Sequence, residues 1–199
     1  MPRFESWEAV WSAGVGPGEY WDIGEPSKCL LEALPKLPAS KTAFVPGAGR
    51  AYDALALAET GREVVALDIS STACEAARAL IGDKTGVAVV CEDFFDHKAT
   101  YDLIWDCTFL CALPPDMREA WARQSVDLLA PGGGIATMIY PMGKPSCLGG
   151  PPFGLSLGDV KNLFEPLGLT PTLTLNLPWG THKRFSPYGN MVVYWHRAA

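Results

Sequence analysis

Histidine, excess positive charge and long apolar runs are all scarce in this sequence of 199 residues. Its 3 histidines (His97, His182 and His196) stand far apart and its 6 cysteines form no C-x-x-C pair, so we expect no metal site. The net charge of −6 argues against nucleic acid as a partner, because no cationic surface is implied. No apolar run approaches the roughly 18 residues that cross a bilayer, which argues against a membrane partner.

The amino-terminal stretch MPRFESWEAV is charged and lacks the apolar core of a secretory signal, so a cytoplasmic protein is expected. A chain of this size does not need disulfides, so we interpret most of the cysteines as small core residues rather than as catalytic groups. The length and the 48% hydrophobic composition fit one globular domain spanning residues 1–199.

Apolar periodicity predicts strands that alternate with helices along the chain. The predicted strands span residues 41–46, 63–67, 87–91, 101–106, 134–140, 170–177 and 191–196. The predicted helices span residues 5–13, 27–34, 51–59, 70–80, 114–130 and 156–166, and "PGGG" is expected to end the fifth of them. Their predicted caps are Ser27, a capping box of Thr72 with Glu75, and another in "SLGD" at Ser156. This α/β alternation indicates a doubly wound, Rossmann-like, seven-stranded sheet, mostly parallel, with an antiparallel hairpin at its carboxyl-terminal edge.

The stretch "AFVPGAGRAYDALALAETGREVVALDIS" (residues 43–70) carries the first functional signal. Gly47 and Gly49 follow a predicted strand and precede a helix, which is how a tight, cofactor-binding turn is built. Asp68 ends the next strand, where a carboxylate can accept both hydroxyls of a ribose. A dinucleotide fold fits this acid equally well, but its fingerprint needs a small residue where Tyr52 stands. The spacing therefore favours a methyl donor without pyrophosphate and keeps NAD as the alternative.

The segment "CEDFFD" follows the third predicted strand. Asp93 is placed to accept a hydrogen bond from an adenine amino group, and Phe94 to cover the ring. The alternative interpretation is an aspartate that caps its own loop beside a core phenylalanine.

These segments resemble the thiopurine S-methyltransferase superfamily, and most closely its thiol, thiocyanate and halide methyltransferase branch. The resemblance rests on "SWEAVW…YWDIGEPS", the stretch of residues 43–70, "CEDFFD", "YDLIWDCTFLCALPPDMREAWARQSVDLLAPGGG", "GGPPFGLS" and "MVVYWHR", in order from residue 6 to 197. It implies the class I fold of methyltransferases that use S-adenosyl-L-methionine, with S-adenosyl-L-homocysteine as the product. It also implies that residues 1–38 form a helical lid over the cofactor and acceptor.

The resemblance further implies a set of cofactor residues. They are Trp7, Trp11, Trp21, Gly47, Gly49, Asp68, Ile69, Asp93, Phe94, Asp106 and Cys107. Aromatic faces attract a sulfonium cation, and Trp7 and Trp11 are four residues apart on one helix face. Near the transferred methyl group the resemblance places Cys107 and Phe153. If a general base is used, Asp22 is the candidate, because "WDIG" is expected to fold over the cofactor; the alternative, which we favour, is an aspartate that caps its own loop.

The sequence departs from the branch at two of these positions. Halide and thiocyanate enzymes usually carry tyrosine where Cys107 and Phe153 stand, so two hydroxyls are missing near the acceptor. A longer loop, "GVGPGEY", also precedes Trp21. His182 and Arg184 lie in a late loop that could face an anionic acceptor, although solvated surface charge is the ordinary interpretation.

We therefore predict a methyltransferase that methylates a small sulfur nucleophile by in-line displacement, without a metal. The alternatives are a halide or thiocyanate methyltransferase, an NAD-dependent oxidoreductase, and a cofactor-binding module without turnover. The acceptor is expected to be a small molecule, and the protein a monomer or weak homodimer.

Overall fold

A computed structural model describes residues 6–182 and 186–197 of the chain. Within these ranges the strands are β1 (Thr42–Pro46), β2 (Glu63–Asp68), β3 (Val87–Cys91), β4 (Tyr101–Asp106), β5 (Leu129–Met142), β6 (Leu169–Leu177) and β7 (Gly189–Arg197). The α-helices in the same ranges are α1 (Trp7–Ser12), α2 (Lys28–Ala33), α3 (Tyr52–Ala58), α4 (Ser71–Ile81), α5 (Arg118–Asp127) and α6 (Leu157–Phe164). Every predicted strand and helix is present, and residue 5, the expected start of α1, lies outside the described residues.

The strands form one sheet of seven in the order β3-β2-β1-β4-β5-β7-β6. The first five in this order run parallel, and β7 is antiparallel to both β5 and β6. The predicted parallel sheet with an antiparallel terminal hairpin is therefore confirmed. Since the chain order reverses between β1 and β4, the crevice at their carboxyl ends is where such a sheet binds ligands.

Hydrophobic residues cover both faces of the sheet. Neighbouring residues of β1 point to opposite sides, so that Val45 packs with α2, α3 and α4, whereas Phe44 packs with α5 and α6. A third small cluster joins Trp11 and Val15 of the amino-terminal segment to Ala73 of α4. In the described part of the chain, no helix has the length and apolarity that crossing a membrane requires.

The strand predicted for residues 134–140 is longer in the structure, because β5 already begins at Leu129 and runs through "PGGG". A Cβ on Gly134 would clash with the Tyr194 hydroxyl, so glycine at this position leaves room for the Tyr194 side chain of β7. Both predicted bounds of the preceding helix are also wrong. Residues Pro115–Met117 form a 3₁₀ turn, α5 begins at Arg118, and it ends at Asp127, before "PGGG".

The three predicted caps have different outcomes. Ser156 and Asp159 form the expected capping box at α6, with both reciprocal hydrogen bonds present. Ser27 precedes α2, but its side chain makes no capping hydrogen bond. The box of Thr72 with Glu75 is wrong, because Ser70 caps α4 by accepting from the Ala73 amide.

Candidate active site

The turn between β1 and α3 is built on left-handed backbone. Gly47 has φ of +59° and Gly49 of +52°. A Cβ on Gly47 would lie 2.5 Å from the ring of Phe109, and one on Gly49 would lie 3.2 Å from the ring of Trp11. Both glycines are therefore required by conformation and by close approach of aromatic rings.

Asp68 joins this turn to the end of β2. One of its carboxylate oxygens accepts a hydrogen bond from the Gly49 amide at 2.9 Å, and the other accepts one from the Ser70 amide at 3.0 Å. Burial raises the pKa of Asp68, against the lowering effect of these amides. The Ile69 amide also donates to this carboxylate, which leaves about one acceptor position for a ligand hydroxyl. The apolar side chain of Ile69 is 53% exposed.

The three predicted tryptophans come together beside the glycine turn. The ring centroids of Trp7 and Trp21 are 5.3 Å apart, and those of Trp11 and Trp21 are 6.3 Å apart. Both pairs are edge-to-face, and the guanidinium of Arg50 lies 5.5 Å from the ring of Trp11. This cluster gives a sulfonium cation the aromatic surroundings that favour it.

Asp22 fixes the loop that carries Trp21. One carboxylate oxygen accepts from the Arg50 side chain at 2.7 Å, and the other accepts from the Gly24 amide at 2.8 Å. Asp22 is buried, and Arg50 also donates to the carbonyl of Val15. These are the contacts of a loop-capping ion pair, and a role of Asp22 as a general base stays a prediction.

Glu8 attaches α1 to the start of α4. Its carboxylate accepts from the hydroxyls of Ser70 and Thr72, both at 2.6 Å, and from the Thr72 amide at 3.2 Å. These hydrogen bonds, that of Ser70 contributing most, lower the pKa of Glu8 to about 2. A residue of the amino-terminal segment thus supplies the acidic partner that the sequence assigned to Glu75.

The carboxylate of Asp93, after β3, forms a hydrogen bond within its own turn. Asp93 accepts a hydrogen bond from the Phe95 amide at 2.9 Å, as a carboxylate that caps its own turn does. The side chain of Phe94 is only 2% exposed, and its ring centroid lies 6.2 Å from that of Phe44 and 5.2 Å from that of Phe109. Phe94 is therefore a core residue in this structure, and direct contact of either residue with a cofactor stays a prediction.

Asp106 is the last residue of β4 and Cys107 follows it, beside the crevice between β1 and β4. One oxygen of Asp106 accepts from the amides of Phe109 and Leu110, each at 3.1 Å, while its other oxygen is buried without a hydrogen-bond partner among the described residues. Burial raises the pKa of Asp106 to about 7 and raises that of the Cys107 thiol well above its ordinary value. The carboxyl and the thiol are therefore both shifted toward their neutral forms.

Phe153 lies against the loop that follows Cys107. Its amide donates to the carbonyl of Cys111 at 2.6 Å. Its ring packs against Gly150, where a Cβ would lie 2.5 Å from the ring. The segment "GGPPF" is thus held against the turn at Cys111 that follows β4, and a place for Phe153 beside the acceptor stays a prediction.

Sequence reasoning missed a polar cluster behind Cys107. Asp53 on α3 accepts from the Ser27 amide and from the Trp105 indole nitrogen, each at 2.6 Å, and burial raises its pKa. His182, for which surface charge was the ordinary interpretation, is only 9% exposed, and Arg184 lies outside the described residues. A carboxyl in an alanine- and leucine-rich helix was the one available signal for this cluster.

Within residues 6–182 and 186–197, no group of three histidine, cysteine or acidic side chains is arranged to hold a metal ion.

A doubly wound sheet with a glycine turn, a carboxylate at the end of β2 and an antiparallel terminal hairpin defines the class I methyltransferases. The N-methyltransferase NodS from Bradyrhizobium japonicum has this fold, with a TM-score of 0.77 over 96% of this chain and 98% of that one, at 13% identity. A sequence model of the thiopurine S-methyltransferase family matches residues 3–169, and the chain belongs to this family. The S-adenosylmethionine-dependent class that the sequence predicted is thereby confirmed.

Two relatives show the same relationship. The chain is 37% identical over 169 residues to "probable thiol methyltransferase 2" of Arabidopsis thaliana, which covers 81% of this chain and 72% of the relative. It is 35% identical over 169 residues to "thiocyanate methyltransferase 1" of Brassica oleracea, which again covers 81% of this chain and 72% of the relative. These matches favour the methyl donor over the dinucleotide alternative.

Proposed function

We propose that the protein transfers the methyl group of S-adenosylmethionine to a small thiol or a related soft sulfur nucleophile. The observation that carries this proposal is the family membership together with the 37% identity to a relative named as a thiol methyltransferase. A thiol needs little activation, because a few per cent of it is already thiolate near neutral pH.

The residues of the glycine turn fit the cofactor. Gly47 and Gly49 give the turn its left-handed backbone, Asp68 keeps acceptor capacity for a ribose hydroxyl, and the tryptophan cluster offers aromatic faces to a cation. The bound cofactor supplies an electrophilic methyl group on a sulfonium. The protein's own residues align the acceptor and exclude water, effects that together reach on the order of 7 to 11 kcal/mol at best.

The acceptor side supports a thiol over a halide or thiocyanate ion. Cys107 and Phe153 offer no hydroxyl, so a small anion would lose donors at the two positions where the branch usually has tyrosine. We therefore expect an acceptor with apolar surface beside its sulfur.

The remaining parts of the proposal concern the organisation of the chain. Residues 1–38 act as a lid within one domain of residues 1–199, since Glu8 and Asp22 attach the described part of this segment to the cofactor turns. The protein acts in the cytoplasm on a small molecule, as a monomer or weak homodimer, without nucleic acid or membrane.

The experiment compares initial rates on iodide, thiocyanate, an arenethiol and an alkanethiol, with S-adenosylhomocysteine formation as the readout. At least one thiol is expected to exceed both ions. The double variant Cys107→Tyr with Phe153→Tyr should raise the rate on thiocyanate relative to thiols by about tenfold, because it returns two donors to the pocket. Iodide far above every thiol in the unmodified protein would refute the thiol assignment.

A further inference from the structure

Cys74 and Cys91 form a pair of cysteines that no step of the proposed methyl transfer uses. Cys74 lies on α4 and is fully buried, whereas Cys91 is the last residue of β3 and is exposed. Since β3 is an outer strand of the sheet, the exposed thiol stands at an open edge. The pair therefore combines a thiol that solvent reaches with one that the protein encloses.

Both side chains lie on the same face of the sheet. Val89 of β3 packs with the cluster on the side of α2, α3 and α4, whereas Val90 packs with the cluster on the opposite side. The pairing of β3 with β2 is regular through Cys91, so its side chain points to the same face as that of Val89. This face is covered by α4, whose Ala77 belongs to the same cluster.

The main chain on either side of Cys91 is joined to atoms that the Cys74 sulfur contacts. The Sγ atom of Cys74 lies 3.7 Å from the carbonyl oxygen of Val90 and 3.5 Å from that of Asp68. The same Asp68 carbonyl accepts from the Glu92 amide at 3.2 Å, and Asp68 is the sheet partner of Cys91. The Cys74 sulfur is thus in contact with the residue before Cys91 and one hydrogen bond from the residue after it, on the face to which Cys91 points.

The charges around the pair agree with this arrangement. Burial raises the pKa of Cys74 to about 12, and the neighbouring Cys91 thiol adds to the rise. Arg78 on α4 opposes it, and its guanidinium donates to the Val89 carbonyl at 3.3 Å. Because a buried, protonated thiol is unreactive toward oxidants, oxidation begins at the exposed Cys91.

We propose that Cys74 and Cys91 form a reversible disulfide in response to hydrogen peroxide, and that this disulfide weakens cofactor binding. The Cys91 sulfur bonds to one peroxide oxygen as the O–O bond breaks, and the thiol proton leaves with the other oxygen as water. The Cys74 sulfur then bonds to the sulfur of the Cys91 sulfenic acid, whose hydroxyl leaves with the Cys74 proton as a second water. Both sulfurs are oxidised, and the peroxide is reduced.

The disulfide acts on the cofactor site through Asp68 and the start of α4. A Cys74 sulfur without its hydrogen no longer donates to the main-chain carbonyl of Asp68. The new bond also draws α4 toward β3, and the start of this helix holds Glu8 through the hydroxyls of Ser70 and Thr72. The carboxylate proposed to bind the ribose and the attachment of the amino-terminal segment are therefore both disturbed.

The test treats the full chain with hydrogen peroxide and maps its cysteines by mass spectrometry after digestion with trypsin. Cys74 and Cys91 fall in separate peptides, residues 63–78 and 85–98, each with a single cysteine. The expected product is these two peptides joined with the loss of two hydrogen atoms, and dithiothreitol should separate them. Cys147→Ser, at the other exposed cysteine, is the matched control and should form the same link.

The variant Cys74→Ser should leave Cys91 as a sulfenic acid that dimedone labels. Oxidation of Cys91 to a sulfinic acid while Cys74 stays free in the unmodified protein would overturn the proposal, and so would a link from Cys91 to any other cysteine. If Cys74→Ser does not fold, the peptide map of the unmodified protein decides alone.

The effect on the cofactor is measured by calorimetry with S-adenosylhomocysteine. The linked protein is expected to bind it about fivefold more weakly than the reduced protein, at the low end of coupling between two sites. Cys91→Ser treated with the same peroxide should keep its affinity, and equal affinities of the linked and reduced protein would refute the effect on the cofactor. None of these measurements uses a methyl acceptor, so their outcome is independent of the proposed thiol substrate.

Discussion

Replacing Asp106 by asparagine removes a buried carboxyl group whose pKa is raised by its burial. The substitution keeps the oxygen that accepts from the Phe109 and Leu110 amides at 3.1 Å. It replaces only the second oxygen, which is buried without a partner among the described residues. The shape and the loop cap are therefore retained, while the ability to ionise is removed.

The size of the expected change in unfolding free energy follows from the pKa of Asp106, which burial raises from 3.8 to about 7. Between these values the native state holds a proton that the unfolded chain has released, so its stability falls as pH rises. The slope is about 1.4 kcal/mol per pH unit, and the whole window amounts to about 4 kcal/mol. Below pH 3.8 this contribution is constant, and above about pH 7 the full penalty applies.

The assay is urea unfolding of the unmodified protein and Asp106→Asn at several pH values across this window. The unfolding free energy of the variant, relative to the unmodified protein, should rise by about 4 kcal/mol from the acid to the alkaline end. Asp127→Asn, at an exposed carboxyl of α5, should show no such trend. A difference between Asp106→Asn and the unmodified protein that is independent of pH would refute the reasoning.

Three further predictions concern the turn and the segment over it. Gly49→Ala should lower the affinity for S-adenosylhomocysteine by about tenfold in calorimetry. Gly82→Ala, the control at a similar φ of +54° with nothing within 4 Å, should lower only the stability of the protein. Equal affinities of the two variants for S-adenosylhomocysteine would contradict this. Asp22→Asn should weaken the binding of S-adenosylhomocysteine, because it loosens the loop that carries Trp21, yet leave the pH dependence of turnover unchanged. A changed pH dependence would instead support Asp22 as the general base. Glu8→Gln should lower the melting temperature at neutral pH, and this difference should shrink as pH falls from 4.5 toward about 2, since hydrogen bonding lowers the pKa of Glu8 to that value; a constant difference would contradict it.

The parts of the fold predictable from the sequence are those set by local patterns. Alternating apolar runs predicted each strand, and the two glycines before α3 predicted a turn that the structure shows with positive φ at both. The edge hairpin was predictable as well, because no long helix separates β6 from β7.

Contacts between distant segments were not predictable from the same patterns. Glu8 reaches Thr72 over 64 positions, so the cap of α4 could not be read from residues 70–75 alone. The strand through "PGGG" depends on the approach of Tyr194, which no local rule contains. Asp53 and His182 looked like ordinary polar residues because their burial is created by packing.

The most direct test of the central claim follows the methyl group itself. The purified protein is incubated with S-adenosylmethionine carrying a trideuterated methyl group and with a panel of small thiols, and the products are analysed by mass spectrometry. The account predicts a thioether that carries the intact trideuterated methyl group, in amounts equal to the S-adenosylhomocysteine formed. Absence of labelled thioether from every thiol, under conditions in which the cofactor binds, would contradict it.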